Sequence, residues 1–183
     1  MTSEIRPGDL GKITFVDEQA SIEFQRFYAH APEKVWAAIT DNSRLASWFI
    51  TKVRMEPKLG GLVESWFGFP PHHVMGKIKV WDPPHLLEHE WNIEPSQALP
   101  DGEFSIMRWE LERVDGGTIL KLKHRNLTKQ TVSGIRRGLD PAPAEHLILD
   151  RLEAYLSSKP ASNTPARMNE LMAEYHKMLH KPR

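Results

Sequence analysis

The chain has 183 residues, with 24 Lys plus Arg balanced by 24 Asp plus Glu, and no cysteine. That length suffices for one domain with a substantial buried core and an appendage. Zero formal net charge gives no long-range pull toward nucleic acid or an anionic membrane, and the missing cysteines exclude disulfides, thiolate nucleophiles and cysteine-bound metal.

The polar lead over 1–12, MTSEIRPGDLGK, carries charges where a secretory leader needs its apolar run. No segment approaches the roughly 20 apolar residues that span a bilayer, so the expectation is a cytoplasmic protein with no membrane insertion and no nucleic-acid partner. ITFV and SIEFQRFYA then have strand composition, with DEQA as the turn between them. Ala31-Pro32-Glu33 opens a helix, since Pro is tolerated in a first turn and Glu favours the positive end of the helix dipole. Val35, Trp36 and Ile39 form its apolar side and Thr40-Asp41 ends it. Asn42 or Ser43 is the expected cap of a second short helix that carries Leu45, Trp48 and Phe49.

Between Thr51 and Asn126 the period shortens. GLVESWF, HHVMGKIKVW, HLLEHEWNI, FSIMRWELERV and GTILKLKHRN read as consecutive antiparallel strands, separated by Gly60-Gly61, Pro83-Pro84, Pro100-Asp101-Gly102 and Asp115-Gly116-Gly117. Strand parity puts His85, Leu87, His89 and Trp91 on one face, opposite Glu88 and Glu90. The same alternation groups Met107, Trp109 and Leu111 against Arg108 and Glu110, and Leu120, Leu122 and His124 against Lys121 and Lys123. The acids of the second face, Glu112 among them, read as a solvated surface with cross-strand ion pairs.

NLTKQTVSGIRRGLDPAP, Asn126 to Pro143, has no period and reads as a long loop. Its Arg136-Arg137 pair has the chemistry to hold a carboxylate or phosphate, or simply to stand in solvent. Asp140-Pro141, a capping residue followed by Pro, starts a long helix with Ala144, Ile148, Leu152 and Tyr155 on its apolar side. Leu149 and Leu156 broaden that side, and Glu145, Asp150, Arg151 and Glu153 are expected on the solvated one. SSKPASNTP is a linker by composition. A last amphipathic helix over 165–180 carries Met168, Leu171, Met172, Tyr175, Met178 and Leu179, either to cover its own domain or to make a homodimer contact. The order of elements is that of an α+β layer fold, a sheet covered on one face by a long helix.

Four ordered motifs resemble the family of activator of heat-shock protein 90 ATPase homologue-like domains, within the START-related superfamily. They are HAPEKVWAAITDNSRLASWF, VWDPPHLLEHEW, GGTILKLKHRN and LDRLEAYL. The resemblance implies a helix-grip fold, a curved antiparallel sheet wrapped around a long C-terminal helix with two short helices after the first strands. It divides the chain into the lead over 1–12, a helix-grip domain over 13–158, and a linker plus helix over 159–183. Many relatives have a Gly-Trp pair shortly before the Leu-Asp-x-Leu run, whereas PAEHLI stands there in this chain. That departure removes a large aromatic from the mouth of the grip and implies a wider opening or a different ligand.

The helix-grip resemblance implies an apolar cavity between sheet and long helix. Parity then gives its expected lining as Leu87, His89, Trp91, Met107, Trp109, Leu111, Leu122 and His124, with Ile148 and Leu152 from the helix. His89 and His124 interrupt apolar stripes. They are either polar anchors for a ligand or core histidines satisfied by backbone or water. With the Trp109 strand between theirs, they stand roughly 9–10 Å apart. His72-His73 is expected in a turn, His176 and His180 lie one helical turn apart, and no His-Glu-x-x-His spacing occurs, so no metal and no cofactor are expected. Gly-x-Ser-x-Gly is absent, SGIRRG lacks the Lys-Ser/Thr ending of a phosphate loop, and no catalytic residue is assigned. The leading expectation is a non-enzymatic protein for a small apolar or amphipathic molecule. The alternatives are a chaperone as partner, as the family name implies, and a cyclase-, aromatase- or hydrolase-type enzyme using the two histidines.

Overall fold

The computed structural model describes residues 8–49, 52–67, 72–96, 99–132, 140–161 and 164–180. The strands are β1 (Lys12–Val16), β2 (Gln19–Tyr28), β3 (Lys52–Met55), β4 (Leu62–Phe67), β5 (His72–Asp82), β6 (Leu86–Ile93), β7 (Glu103–Val114) and β8 (Gly117–Thr128). The helices are α1 (Pro32–Thr40), α2 (Asn42–Trp48), α3 (Lys129–Val132), α4 (Pro141–Leu156) and α5 (Thr164–Leu179). All strands join one antiparallel sheet in the order β1-β2-β8-β7-β6-β5-β4-β3, so the β2–β8 pair closes the ladder across the chain. The sheet is curved and open, and α4 lies in its grip. This is the helix-grip fold.

The register explains why the alternation reads so clearly. His89 pairs with Met107 and Met107 with His124, while Leu87, Trp109 and Leu122 form the next row. Each row turns its side chains to the helix layer, and β7 alternates buried with less buried positions along most of its length. On the opposite face Arg108 bridges Glu88 (3.2 Å) and Glu110, Arg125 reaches Glu88 at 3.1 Å, and Lys121 pairs with Glu112 at 3.0 Å. Such pairs add little stability one by one; their consequence is a face that stays solvated and a register that cannot slip by one residue.

Local caps differ from the expected ones in instructive ways. Asp41, rather than Asn42 or Ser43, caps α2: its carboxylate accepts from Ser43 N (2.8 Å) and Arg44 N (3.2 Å). Asn42 is thereby free to bracket the Met55 backbone, donating to its carbonyl (2.9 Å) and accepting from its amide (2.8 Å). That contact ties α2 to β3, a four-residue strand too short to register as a period. Trp48 Nε1 closes the corner between α1 and α2 by donating to Ala38 O at 2.9 Å. Asp140 occupies the N-cap position of α4 but makes no capping hydrogen bond.

Three further expectations change. The stretch after Asn126 is not wholly loop: β8 continues to Thr128 and α3 follows. The Glu103 carboxylate holds it there, accepting from Thr128 N (2.8 Å), Thr128 Oγ1 (3.0 Å) and Thr131 Oγ1. Arg136-Arg137 lies outside the described residues. His72-His73 begins β5 instead of a turn, with His73 stacked on Trp66 and bonded to Glu64 (2.9 Å) and Glu94 (3.2 Å). His85 precedes β6 in an exposed turn and does not share the face of Leu87 and His89.

The last helix folds back on its own chain. Leu171 and Tyr175 of α5 are buried, Met168 and Met178 pack against the core, and Arg151 of α4 donates to Thr164 Oγ1 at 3.1 Å. Tyr175 Oη accepts from Gly11 N at 2.7 Å, so α5 also fastens the segment that leads into β1.

Candidate functional site

A cavity of about 310 Å³ lies between the inner face of the sheet and the helices. Its floor is Leu87, His89 and Trp91 of β6, Ser105, Met107 and Trp109 of β7, and Leu122 and His124 of β8. Leu45, Trp48 and Phe49 close one side, Ala144, Glu145 and Ile148 of α4 form the roof, and Met168 and Met172 of α5 complete the wall. Eight of the ten expected positions are in this lining. Leu111 and Leu152 are not: both are buried in packed core. Leu111 sits toward the end of β7 that α1 covers, where Arg113 pairs with Glu33 at 2.5 Å. Leu152 lies one helical turn beyond Ile148, in the packed core.

The polar centre of the cavity is a chain of three side chains from three elements. His124 Nδ1 makes a short contact with Glu145 Oε1, and His124 Nε2 lies 2.7 Å from Ser105 Oγ. Ser105 Oγ in turn donates to Trp91 O at 2.7 Å. The direction of the chain follows from proton counting. A serine has one hydroxyl hydrogen, and the Trp91 carbonyl offers none, so that hydrogen lies between Ser105 and Trp91. Ser105 therefore accepts from His124, whose Nε2 is protonated, and Nδ1 and Glu145 share one further proton. Histidine in this state cannot take the hydroxyl proton, so Ser105 is not primed as a nucleophile despite its outward likeness to a Ser-His-acid triad.

Glu145 is 4% exposed, and its second oxygen, Oε2, is buried with no hydrogen-bond partner among the described residues. An unpaired buried acceptor costs about 1–3 kcal/mol, so a satisfied core would not retain it without a use. His89, the other cavity histidine, donates Nδ1–H to Glu90 O at 2.9 Å, leaving Nε2 as an unprotonated acceptor. Burial pushes its pKa down to about 4, helped by the charge of His124 and opposed by the Glu90 carbonyl. Asp140, at the edge of the cavity, has its carboxyl pushed up by burial. Among the described lining residues the acids are Glu103, Asp140 and Glu145, with no Lys or Arg.

Parity located His89 and His124 but missed their partners. Ser105 lies two residues before Met107, on the same face, where a small polar side chain leaves no mark in an apolar stripe. Glu145 was placed on the solvated side of α4, yet Glu145, Leu149, Leu152 and Leu156 follow spacings of four, three and four. That is the most buried stripe of the helix, and a carboxylate at its head was the available signal. The same glutamate belongs to PAEHLI, the stretch that departs from the family pattern. His176 and His180 stack at 4.1 Å on α5, and no group of three or more possible metal ligands occurs among the described residues.

A curved antiparallel sheet gripping a helix over an apolar cavity defines the helix-grip class. Residues 29–157 match the model of one of its families, described as activator of Hsp90 ATPase homolog 1-like protein, and the chain belongs to that family. The crystal structure of CalU16 from Micromonospora echinospora is similar at a TM-score of 0.68 and 20% identity, over 93% of this chain and 96% of that one. The solution structure of the protein encoded by gene BPP1335 from Bordetella parapertussis aligns at 0.64 and 20% identity, covering 97% and 95%. Protein MLL2253 from Mesorhizobium loti aligns at 0.63 and 18%, covering 76% and 98%. At these identities the likeness shows the fold alone. A search of curated proteins found no match. No helix among the described residues is long and apolar enough to cross a membrane.

Proposed function

We propose that the protein binds a small apolar or amphipathic molecule in this cavity, without chemical conversion. The observation that carries the reading is the coexistence of an open, aromatic-walled space with a buried carboxylate oxygen that has no partner among the described residues. Interiors normally close such voids, at a cost of roughly 24 cal/mol for each Å³ left empty. A ligand that fills the space and satisfies the oxygen offsets both penalties, and few polar groups in a mostly apolar lining is the usual composition of a small-molecule site. His89 serves as a polar anchor through Nε2 in this reading, while His124, with both ring nitrogens engaged, holds Glu145 in place. The two histidines are two strand spacings apart, roughly 9–10 Å, so they flank a ligand rather than bond to each other.

Ligand-induced thermal shifts and native mass spectrometry against a panel of apolar metabolites and lipids test the proposal, with quenching of Trp48, Trp91 and Trp109 fluorescence as a direct readout. Ile148→Trp places an indole in the cavity and should abolish the shifts while leaving the fold intact by circular dichroism. Absence of binding by every apolar compound, or binding unchanged in Ile148→Trp, would sink it.

A further inference from the structure

The acceptors in the cavity are more specific than its apolar walls. Glu145 Oε2 has no partner among the described residues, and His89 Nε2 is an acceptor because its Nδ1–H is committed to Glu90 O. Neither is able to welcome another acceptor. The remaining polar groups are already committed: the Ser105 hydroxyl to Trp91 O, His124 Nε2–H to Ser105, and both Glu103 oxygens to Thr128 and Thr131. The described lining residues include no Lys or Arg, and the proton that His124 shares with Glu145 Oε1 leaves Glu145 Oε2 still without a donor. The aromatic walls, Trp48, Trp91 and Trp109 among them, attract cations through their ring faces.

Resting on the binding reading above, we propose that the ligand is an apolar or aromatic amine whose protonated nitrogen donates to Glu145 Oε2. An ammonium offers Glu145 Oε2 the donor it lacks, and a charge-assisted bond is stronger than a neutral one. A carboxylate of the same skeleton would face acceptor against acceptor. The cavity thus selects against acids as well as for amines.

The test uses four probes on one skeleton: naphthylethylamine, naphthylethanol, naphthylacetic acid and ethylnaphthalene, titrated at pH 7 by tryptophan quenching and calorimetry. The expected order places the amine about tenfold tighter than the alcohol, with the acid weakest. In Glu145→Gln the amine should lose about tenfold while the alcohol stays within about threefold. If that variant does not fold, the order in the unaltered protein decides by itself. An alcohol or acid that binds as tightly as the amine, or an amine unaffected in Glu145→Gln, overturns the inference. Should only ethylnaphthalene bind, the apolar cavity survives and the amine does not; should none of the four bind, both readings fall.

Discussion

Glu145 and His146 are neighbours on α4, both buried, and they face opposite fates. Glu145 belongs to the cavity lining, and one of its oxygens has no partner among the described residues. His146 faces the junction of β2, α4 and α5, where both ring nitrogens are engaged. Nδ1 lies 3.1 Å from Tyr175 Oη, and Nε2 lies 3.3 Å from Arg26 Nη2 and 3.5 Å from Asp150 Oδ1. The Phe24 and Tyr175 rings pack edge-on against it, each with its centroid at 6.0 Å. Since guanidinium only donates, His146 Nε2 must accept, and the ring is neutral. Two polar groups one residue apart thus separate by completeness. The satisfied network fastens α5 to the sheet and α4, whereas the unsatisfied one is where the proposed ligand would dock.

The largest effect that tests this division is one of pH. Burial lowers the His146 pKa from 6.5 to about 4, with Arg26 and Arg167 adding to the shift and Asp150 opposing it; burial does the same to His89. A depressed histidine is neutral in the folded state while its unfolded form takes up a proton below pH 6.5. Stability is therefore full above that pH and is lost as pH falls toward 4, by about 3 kcal/mol for each ring. Urea unfolding at a series of pH values should show this decline, and His146→Gln should remove about half of it. An unchanged pH slope in His146→Gln would mean that the junction is not held by a neutral ring. Next in size, Tyr175→Ala removes a buried ring and the contacts to Gly11 and His146, at a cost of about 3 kcal/mol. Limited proteolysis should then cut between α4 and α5. Tyr175→Phe keeps the ring and loses only the hydroxyl, for about 1–2 kcal/mol by the same urea measurement. A Phe variant as unstable as the Ala variant would show that the polar contacts, not the packing, hold α5.

These two regions also show how far the residues alone could be read. The fold was legible because period-two alternation on β6, β7 and β8, the corner around Thr40-Asp41 and the amphipathic α4 are local patterns, each set by which face meets the core. The floor of the cavity followed from the same parity. Its polar centre did not, because Ser105, His124 and Glu145 come together only through the β7–β8 register and the rotation of α4 over the sheet. An apolar face drawn through Ala144, Ile148, Leu152 and Tyr155 puts Glu145 outside. The Leu149-Leu152-Leu156 stripe, read first, would have put it inside. His146 was invisible for a different reason: its hydrogen-bond partners, Arg26 and Tyr175, lie 120 positions before it and 29 after it. Nor does any local rule tell a methionine-bearing helix whether to cover its own domain; Met172, still 41% exposed, shows that α5 covers it only in part.

The smallest expected effect is the most discriminating. Glu145→Gln retains the shape of the side chain and an amide able to bond His124 Nδ1, while it removes a buried carboxylate whose second oxygen has no partner among the described residues. Loss of a charge-assisted bond and relief from burying a charge oppose each other, so the net change in unfolding free energy should stay within about 1 kcal/mol. A completed network responds otherwise: removing one member strands its partners, as Tyr175→Phe does to Gly11 N–H and His146. A loss above about 2 kcal/mol in Glu145→Gln, measured by urea at pH 7, would place Glu145 with His146 as a structural group and dissolve the distinction between them. A near-zero loss together with altered probe binding separates the two, because only a group kept for a ligand changes recognition without changing the fold.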